Sequence, residues 1–299
     1  MRDEVNMMES SESNFERLFS PRAVAVVGAS ETPGSVGRDV VENLLDRNFP
    51  GQIFPVNPKR KSVLGLSCHT ALRDIKEPVD VVAIAVPAAF AVDVVREAGK
   101  TGAQFAVVFA SGFAEAGEDG HALQADLSRA AQESGIRLIG PNCQGFMNVA
   151  DAIHIGFGPP YKLDYRKGQV GLVSQSGAFG NSLLMGLSDE KIGVRRYVST
   201  GNEANTTALD MMTAMLEDRG TRVVAGYIEG LSNARQLRDV AAKSRAANKP
   251  LVLWKVGRSQ MGAQAAASHT ASLAGDDKLY RAAFRQYGIV DVNDIGEMA

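Results

Sequence analysis

Short apolar runs rich in valine and isoleucine alternate along the chain with amphipathic stretches of helical length. The first five runs are AVAVVG (23–28), QIFPVN (52–57), VDVVAIAVP (79–87), FAVVFA (105–110) and RLIGPN (137–142). Because buried parallel strands read as short apolar runs separated by helices, this pattern predicts a doubly wound α/β sheet.

The same alternation restarts after a Gly- and Pro-rich connector, IGFGPPYKLDYRKG. The later runs are QVGLVSQ (169–175), VRRYVST (194–200), VVAGYIEG (223–230), PLVLWKVG (250–257) and GIVDV (288–292). We therefore predict two parallel-sheet domains, residues 15–150 and 169–299, joined by a linker over residues 151–168. Residues 1–14 are polar and lack periodicity, which predicts a flexible tail.

The end of the sequence predicts a very short helix. Asn293 is a good N-cap residue, but the residues after it allow barely one turn, which is too short to be stable alone. We therefore expect the natural protein to continue beyond Ala299.

Composition and charge exclude several classes of partner. The net charge of −2 gives no general attraction to nucleic acid or to an anionic membrane, so neither is an expected partner. Two cysteines, Cys68 and Cys143, and the lack of a signal-like or membrane-length apolar run predict a soluble, reduced, cytoplasmic protein without a disulfide. No His/Cys cluster has metal-ligand spacing, so no metal site is predicted.

A phosphate-binding turn is expected where the first strand ends. In GASETPGSVG, the glycines Gly28, Gly34 and Gly37 lack the spacing of dinucleotide dehydrogenases, but the loop leads into a helix near Gly37, whose exposed N–H groups favour a phosphate. The next strand ends in VNPKRK, where Lys59 and Arg60 suit a phosphorylated ribose or a pyrophosphate, which admits NADP or coenzyme A. A tight turn that binds nothing and a solvated basic turn are the alternative interpretations.

A second anion-binding turn is expected in VSQSGAFG (173–180), which joins a strand to a helix that begins near Gly177. The backbone N–H groups of this turn, Gln175 and Gly177 included, and the hydroxyls of Ser174 and Ser176 are predicted to hold a phosphoryl group. An ordinary serine-capped helix is the alternative.

A carboxylate and a histidine are predicted to act together at the same edge. Glu229 ends the apolar strand VVAGYIEG, where a charge is unfavourable unless a partner holds it. His269 lies among Ala, Ser and Gly in a segment that follows the next strand, so its loop falls at the same edge as Glu229. A carboxylate on one ring nitrogen leaves the other free as a nucleophile, so we predict that His269 accepts a phosphoryl group and Glu229 orients it. A histidine that packs or caps is the alternative.

Eight motifs in order resemble those of NDP-forming acyl-CoA synthetases, the superfamily that includes the succinyl-CoA ligase α subunit. They are GASETPGSVG, VNPK, SGFAEAG, GPNCQG, VSQSGA, STGNEA, YIEG and KVGRSQMGAQAAASHTASLAG. The resemblance covers nearly the whole chain from about residue 15 and implies a Rossmann-like CoA-binding domain followed by a flavodoxin-like domain that carries the phosphohistidine. The residues that it places near coenzyme A are Gly28, Ser30, Gly34, Lys59, Val86, Pro87, Ser111, Gly112, Asn142 and Cys143.

The resemblance also implies the reaction. An acid–thiol ligase of this type converts acyl-CoA, phosphate and ADP into a carboxylic acid, CoA and ATP, reversibly, through an acyl phosphate and a phosphohistidine. The step to ADP, with Mg²⁺, needs an ATP-grasp domain that this sequence lacks, so a β-type partner subunit or a missing C-terminal part is expected, and an oligomer with it.

Two positions depart from the family pattern. Ala271 stands where the family commonly has Gly, and Asn205 stands where an Asp often follows the GN segment. We expect these departures to tune substrate choice or phosphate geometry.

Two other functions stay open. One is a non-catalytic acyl-CoA-sensing module of the same fold, which would need neither His269 nor Glu229. The other is an NADP-dependent reductase, against which the glycine spacing argues.

Overall fold

The chain folds around two β-sheets, as seen in a computed structural model that describes residues 15–231, 233–257 and 277–298. The tail predicted over residues 1–14 lies outside the described residues, and so does the segment 258–276, which contains His269 and Ala271.

The first sheet has five parallel strands in the order β2-β1-β5-β6-β7. The strands of this half, including a small antiparallel hairpin, are β1 (Ala23–Val27), β2 (Gln52–Val56), β3 (Ser62–Val63), β4 (Leu66–Ser67), β5 (Val81–Ile84), β6 (Phe105–Val108) and β7 (Arg137–Ile139). Val24 and Val26 pack into one hydrophobic cluster, and Ala25 packs into another. Both faces of the sheet are therefore covered, as expected for continuous apolar runs.

The helices of the first half are α1 (Glu16–Phe19), α2 (Val36–Asp46), α3 (Ala88–Lys100) and α4 (Glu118–Glu133). Helix α2 packs directly against the turn after β1. Gly28 in that turn has φ +88°, and a Cβ added at Gly37 would lie 2.1 Å from the Gly28 carbonyl oxygen. Glycine at both positions permits this close approach of two backbones.

The second sheet has seven strands in the order β14-β13-β12-β10-β11-β8-β9. Its strands are β8 (Gly145–Asn148), β9 (Ile153–Gly156), β10 (Lys167–Ser174), β11 (Val194–Ser199), β12 (Val223–Ile228), β13 (Leu251–Lys255) and β14 (Val290–Asp291). Its helices are α5 (Pro159–Lys162), α6 (Gly177–Asp189), α7 (Ala208–Glu217), α8 (Ala234–Ala247), α9 (Asp277–Tyr287) and α10 (Ile295–Met298). None of the helices in the described part of the chain is long and apolar enough to cross a membrane.

The strands predicted from the apolar runs are present, and the doubly wound fold class is confirmed. The pattern missed the hairpin β8–β9, whose first strand pairs antiparallel with β11. The predicted domain bounds, with a division after residue 150, stay a prediction, but β8 already belongs to the second sheet. A hairpin of two fully buried strands has no alternating pattern that would mark it in the sequence.

Hydrogen bonds from α2 to the end of β9 join the two halves. The buried Asn43 donates from Nδ2 to the Gly156 carbonyl oxygen at 2.9 Å, and the Gly158 N–H donates to Asp39 Oδ2 at 3.2 Å. One hydrophobic cluster also contains residues from both sheets, such as Val26 and Val173. The two sheets therefore share a packed seam.

The segment 202–206 adds a second connection along the edge of β7. The Asn202 N–H donates to the Pro141 carbonyl oxygen at 2.9 Å. The Ala204 N–H donates to the Gly140 carbonyl oxygen at 3.0 Å, and the Thr206 N–H donates to the Leu138 carbonyl oxygen at 3.1 Å. The side chain of Asn205 accepts a bond from the Leu138 N–H at 3.0 Å. The family departure at Asn205 therefore lies in this structural seam, where an Asp carboxylate could accept the same bond.

Gly37→Ala is predicted to destabilise the fold, because the added methyl group would push α2 away from the turn after β1. We expect the free energy of unfolding in urea to fall by about 1–3 kcal/mol or more. Gly296→Ala is a matched control, since Gly296 is also the second residue of a helix and its added Cβ would come no closer than 3.3 Å to another atom. The control should change stability by no more than about 1 kcal/mol. Equal effects of the two variants would contradict the proposed contact.

Candidate active site

Two cavities lie along the carboxyl ends of the strands. The first, which we call the Lys59 cavity, has a volume of about 460 Å³ and is lined by Val27, Gly28, Val56, Asn57, Pro58, Lys59, Thr70, Ala71, Leu72, Val86, Pro87, Phe90 and Glu97. The second, the interdomain cavity, has a volume of about 360 Å³ and is lined by Phe109, Ser111, Asn142, Cys143, Gln144, Phe157, Gln175, Ser176, Gly177, Ala178, Gly201, Asn202 and Glu229. Ligands of open α/β sheets bind at this edge.

The Lys59 cavity brings together four of the residues assigned to coenzyme A, namely Gly28, Lys59, Val86 and Pro87. Its loops are tied to each other, because Asn57 donates from Nδ2 to the Ala29 carbonyl oxygen at 2.7 Å and accepts from the Lys59 N–H at 2.9 Å. This places the exposed Lys59 at the mouth of the cavity, where an ammonium group can meet a phosphate.

Three other residues assigned to coenzyme A, namely Ser30, Gly34 and Gly112, lie outside the two linings. Ser30 accepts from the Thr32 N–H at 3.0 Å, and Gly34 follows in the same loop with φ +77°. The Gly112 N–H donates to Glu115 Oε1 at 2.6 Å. These positions shape the loops beside the cavities, and their assignment to coenzyme A stays a prediction.

The first-domain wall of the interdomain cavity contains the predicted residues Ser111, Asn142 and Cys143. Asn142 donates from Nδ2 to Asn202 Oδ1 at 3.2 Å, across the seam. The Cys143 thiol is fully buried, lies 3.4 Å from the Val108 carbonyl oxygen, and has its pKa raised to about 12 by burial. Such a thiol is a packing group and not a nucleophile.

Asn202 also holds the loop after β6. Its Nδ2 donates to the carboxylate of Glu115 and, at 2.9 Å, to Gln124 Oε1. Burial opposes the charge on Glu115, but the hydrogen bonds from Asn202, Gly112 and Phe113 more than compensate and lower the pKa of the carboxyl group. This network fixes the two walls of the cavity relative to each other.

The second-domain wall contains the start of α6, which begins at Gly177 as predicted. Ser176 is the N-cap and accepts from the Phe179 N–H at 3.3 Å. The amides of Gly177 and Ala178, both of which line the cavity, belong to the first turn and have no acceptor inside the helix. With the positive end of the helix dipole, they form a place for an anion.

The side chains of Ser174 and Gln175 serve the framework instead of pointing to an anion. The buried Ser174 hydroxyl donates to the Ser176 carbonyl oxygen at 2.6 Å. Gln175 Oε1 accepts from the N–H groups of Glu229 and Gly230 at 2.5 and 3.1 Å, and Nε2 donates to the Gly230 carbonyl oxygen at 2.8 Å. The Gln175 backbone N–H is also engaged, by the Tyr227 carbonyl oxygen. Gln175 therefore clamps the backbone at Glu229, a role that the sequence prediction did not include.

Glu229 immediately follows β12, lines the interdomain cavity and is 8% exposed. Glu229 thus lies at the carboxyl end of an apolar strand, as expected, and its catalytic role stays a prediction. Its predicted partner His269 lies outside the described residues, so the pairing of the two stays a prediction.

Glu203 lies behind the Gln175 clamp in the STGNEA motif. Its Oε1 accepts from the Thr200 hydroxyl and from the Ala208 N–H, both at 2.8 Å, and the Gln175 side chain also hydrogen-bonds to its carboxyl group. Burial raises its pKa to about 7, and the nearby Asp210 acts in the same direction. Gln175 therefore uses both lone pairs and both N–H groups of its amide.

Sequence reasoning missed several residues of the interdomain cavity, among them Phe109, Gln144, Ala178, Gly201 and Asn202. Phe157 also lines the cavity. The available signal was position, since Phe109 directly follows a strand and Asn202 belongs to a turn after a strand.

Both halves of the chain match family models. The model described as a CoA binding domain matches residues 22–149, and the model described as a succinyl-CoA ligase like flavodoxin domain matches residues 167–299.

Curated relatives cover the same range. The chain is 41% identical over 284 residues to acetate–CoA ligase [ADP-forming] I of Archaeoglobus fulgidus, which corresponds to 95% of this chain and 41% of that protein. It is 38% identical over 288 residues to the α subunit of acetate–CoA ligase [ADP-forming] I of Pyrococcus furiosus, which is 95% of this chain and 62% of that subunit. The chain thus spans less than two thirds of the length of these relatives.

Among solved structures, the chain is similar to dinucleotide forming acetyl-coenzyme A synthetase 1 of Ca. Korarchaeum cryptofilum, determined in complex with phosphate and ADP. The TM-score is 0.88 at 38% sequence identity, over 95% of this chain and 60% of that one. The similarity confirms the predicted order of a Rossmann-like domain followed by a flavodoxin-like domain.

Gln175→Met is predicted to release the backbone at residues 229–230. The variant keeps the side-chain volume but leaves buried backbone groups unpaired, at about 1–3 kcal/mol for each such group. We expect a lower free energy of unfolding and faster hydrogen exchange at the Glu229 and Gly230 amides. Gln169→Met is the matched control, because Gln169 is an exposed glutamine on β10, the strand that ends just before Gln175. Unchanged exchange at residues 229–230 would contradict the clamp.

Glu203→Gln is predicted to change the pH dependence of stability. Between the ordinary pKa of 4.5 and the raised value of about 7, the folded protein keeps a proton on Glu203 that the unfolded chain releases, so this group makes stability fall as pH rises. The free energy of unfolding of the variant, taken relative to that of wild type, should rise by on the order of 1–3 kcal/mol from pH 5 to pH 8. Urea unfolding at several pH values measures this difference, and a difference independent of pH would show that Glu203 titrates normally.

Proposed function

Because this chain belongs to the family of NDP-forming acyl-CoA synthetases and is similar to part of an α subunit, we propose that it converts an acyl-CoA and phosphate into CoA and an acyl phosphate. The phosphoryl group is then transferred to His269. The observation that carries this proposal is the composition of the interdomain cavity. The first turn of α6 and the carboxylate of Glu229 line the same space as Ser111 and Asn142 of the CoA-binding half. A phosphate and a thioester would meet there.

Coenzyme A would lie along the carboxyl edge of the first sheet. The Lys59 cavity is formed at the ends of β1, β2 and β5, and the interdomain cavity is formed near the ends of β6 and β7. The phosphate-bearing end of the molecule suits Lys59, and the thiol end would then extend toward the interdomain cavity. This orientation brings the thioester to the phosphate.

The first chemical step is the transfer of the acyl group to phosphate. A phosphate oxygen attacks the thioester carbonyl carbon, the C–O bond forms, the C–S bond breaks, and the thiolate takes up a proton to leave as CoA. The amides of Gly177 and Ala178 would hold the phosphate in a fixed position, which favours the attack by proximity and by neutralising charge.

The second step is the transfer of the phosphoryl group to the histidine. A ring nitrogen of His269 attacks the phosphorus of the acyl phosphate, the N–P bond forms, the P–O bond to the acyl oxygen breaks, and the acid leaves as its carboxylate. Glu229 would accept the N–H of the other ring nitrogen, which fixes the tautomer and stabilises the positive charge that develops on the ring. The Gln175 clamp supports this role because it fixes the backbone that carries Glu229.

The last step would pass the phosphoryl group to ADP. Relatives of similar sequence are named as α subunits, which supports a partner. We assign the binding of ADP and Mg²⁺ to an ATP-grasp component, present either as a β-type subunit or as a further part of a longer chain.

Phosphorylation of His269 is the test of this function. The chain is incubated with a panel of acyl-CoAs, Mg²⁺ and labelled phosphate, and acid-labile, base-stable label is measured on the protein. Wild type should be labelled and His269→Ala should not, whereas Glu229→Gln should be labelled more slowly, by roughly 10²- to 10⁴-fold.

Glu217→Gln is the control for loss of a carboxylate in the same domain, since Glu217 is exposed on α7 and pairs with Lys243. It should label like wild type. The catalytic function is wrong if three results are found together: no acyl-CoA labels the protein, incubation with an ATP-grasp partner and ATP does not label it either, and the chain still binds CoA. The chain would then act as an acyl-CoA-sensing module.

A further inference from the structure

We call the first turn of α6 together with Glu229 the polar end of the interdomain cavity, and Phe109 together with Phe157 its aromatic end. The polar end is formed by the first turn of α6 and by Glu229, which follow the adjacent strands β10 and β12. Phe157 follows β9, which is separated from β10 in the sheet by β11 and β8. The last residue of β11 pairs with Gly145 at the start of β8, and Gly145 in turn pairs with Gly156 at the end of β9. Phe157, which follows Gly156, therefore lies at the same carboxyl edge of the sheet.

The aromatic end is built from one residue of each domain. The rings of Phe109 and Phe157 meet edge to face, with centroids 5.8 Å apart and planes at 87°. This is a favourable arrangement for two aromatic rings. Phe109 is buried, whereas Phe157 is partly exposed, so Phe157 presents more of its ring to the cavity.

The backbone on either side of Phe157 is held by the first domain. The Gly156 carbonyl oxygen accepts from Asn43, and the Gly158 N–H donates to Asp39, both residues of α2. The Phe157 ring is therefore attached to a backbone that is fixed on both sides, and it can act as a rigid wall.

The charge of the described lining residues favours some acyl groups over others. Among the lining residues that the structure describes, Glu229 is the only charged side chain, and its charge is negative. A second carboxylate on the acyl group would find no cation among these residues, whereas an uncharged, apolar acyl group would lose water against two aromatic rings.

We propose that Phe109 and Phe157 form the binding wall for the acyl group, and that Phe157 sets the largest uncharged acyl group that the site accepts. This inference rests on the proposed function, because it needs a thioester at the interdomain cavity. It adds to that function the residue that determines substrate size.

The test is the affinity of the chain for CoA, acetyl-CoA, butyryl-CoA, phenylacetyl-CoA and succinyl-CoA, measured by calorimetry for wild type, Phe157→Ala and Phe157→Leu. The affinity ratio of phenylacetyl-CoA to acetyl-CoA should rise about tenfold or more in Phe157→Ala and by a smaller factor in Phe157→Leu. Affinity for CoA itself should stay within about twofold of wild type. Phe157→Leu keeps the test available if the alanine variant fails to fold.

Phe90→Ala is the matched control, since Phe90 is an exposed phenylalanine that lines the Lys59 cavity. It should change the affinity for all five ligands by the same factor. Wild type should bind butyryl-CoA more tightly than succinyl-CoA, which has a chain of equal length and one more carboxylate.

The outcomes separate the two proposals. Wild type that binds none of the five ligands would overturn the proposed function, and the acyl wall with it. Wild type that binds CoA, together with unchanged ratios in both Phe157 variants, would overturn the acyl wall alone. A wild type that prefers succinyl-CoA would also overturn it.

Discussion

The five residues from Gly140 to Gln144 impose the constraint on which the rest of the structure depends. They join the last strand of the first sheet, β7, to the first strand of the second sheet, β8. Even fully extended, five residues span at most about 18 Å. The carboxyl edge of one sheet must therefore lie next to the carboxyl edge of the other, and loops from both edges enclose one cavity.

Polar side chains around this cavity are mostly engaged with the protein itself. Gln175 uses its amide to hold the backbone at Glu229, and Asn202 uses its amide to connect Asn142 with Glu115. A buried amide with all its hydrogen bonds made costs little, and it cannot move without leaving groups unpaired. The first-turn amides of α6 remain available to a ligand, and they point in a fixed direction. Such preorganisation favours charge stabilisation during group transfer.

The fold could be predicted from the sequence because its strands are buried on both faces, which makes them short apolar runs that differ clearly from the helices. The position of Glu229 followed from the same reasoning, since a charge at the end of such a run is unusual. The hairpin β8–β9 could not be found in this way, because its strands are also buried but no helix separates them. The role of Gln175 could not be found either. The backbone groups that it clamps lie more than fifty positions away in the sequence, and a glutamine between two serines looks like a ligand-binding residue.

Because the polar and aromatic ends of the cavity are formed by different residues, we expect substitutions at the two ends to have different effects. The phosphate end depends on backbone amides and on a clamp that involves backbone groups, so most substitutions there would disturb the chemistry. At the aromatic end, the backbone on either side of Phe157 is held from α2, so we expect a change of ring size there to alter the space without moving the phosphate end. Under the proposed function, one framework would therefore accept different acids while the transfer of the phosphoryl group stays the same. Because one extra methylene changes discrimination by about 1–3 kcal/mol, we expect a single substitution at Phe157 to be sufficient to shift the preference.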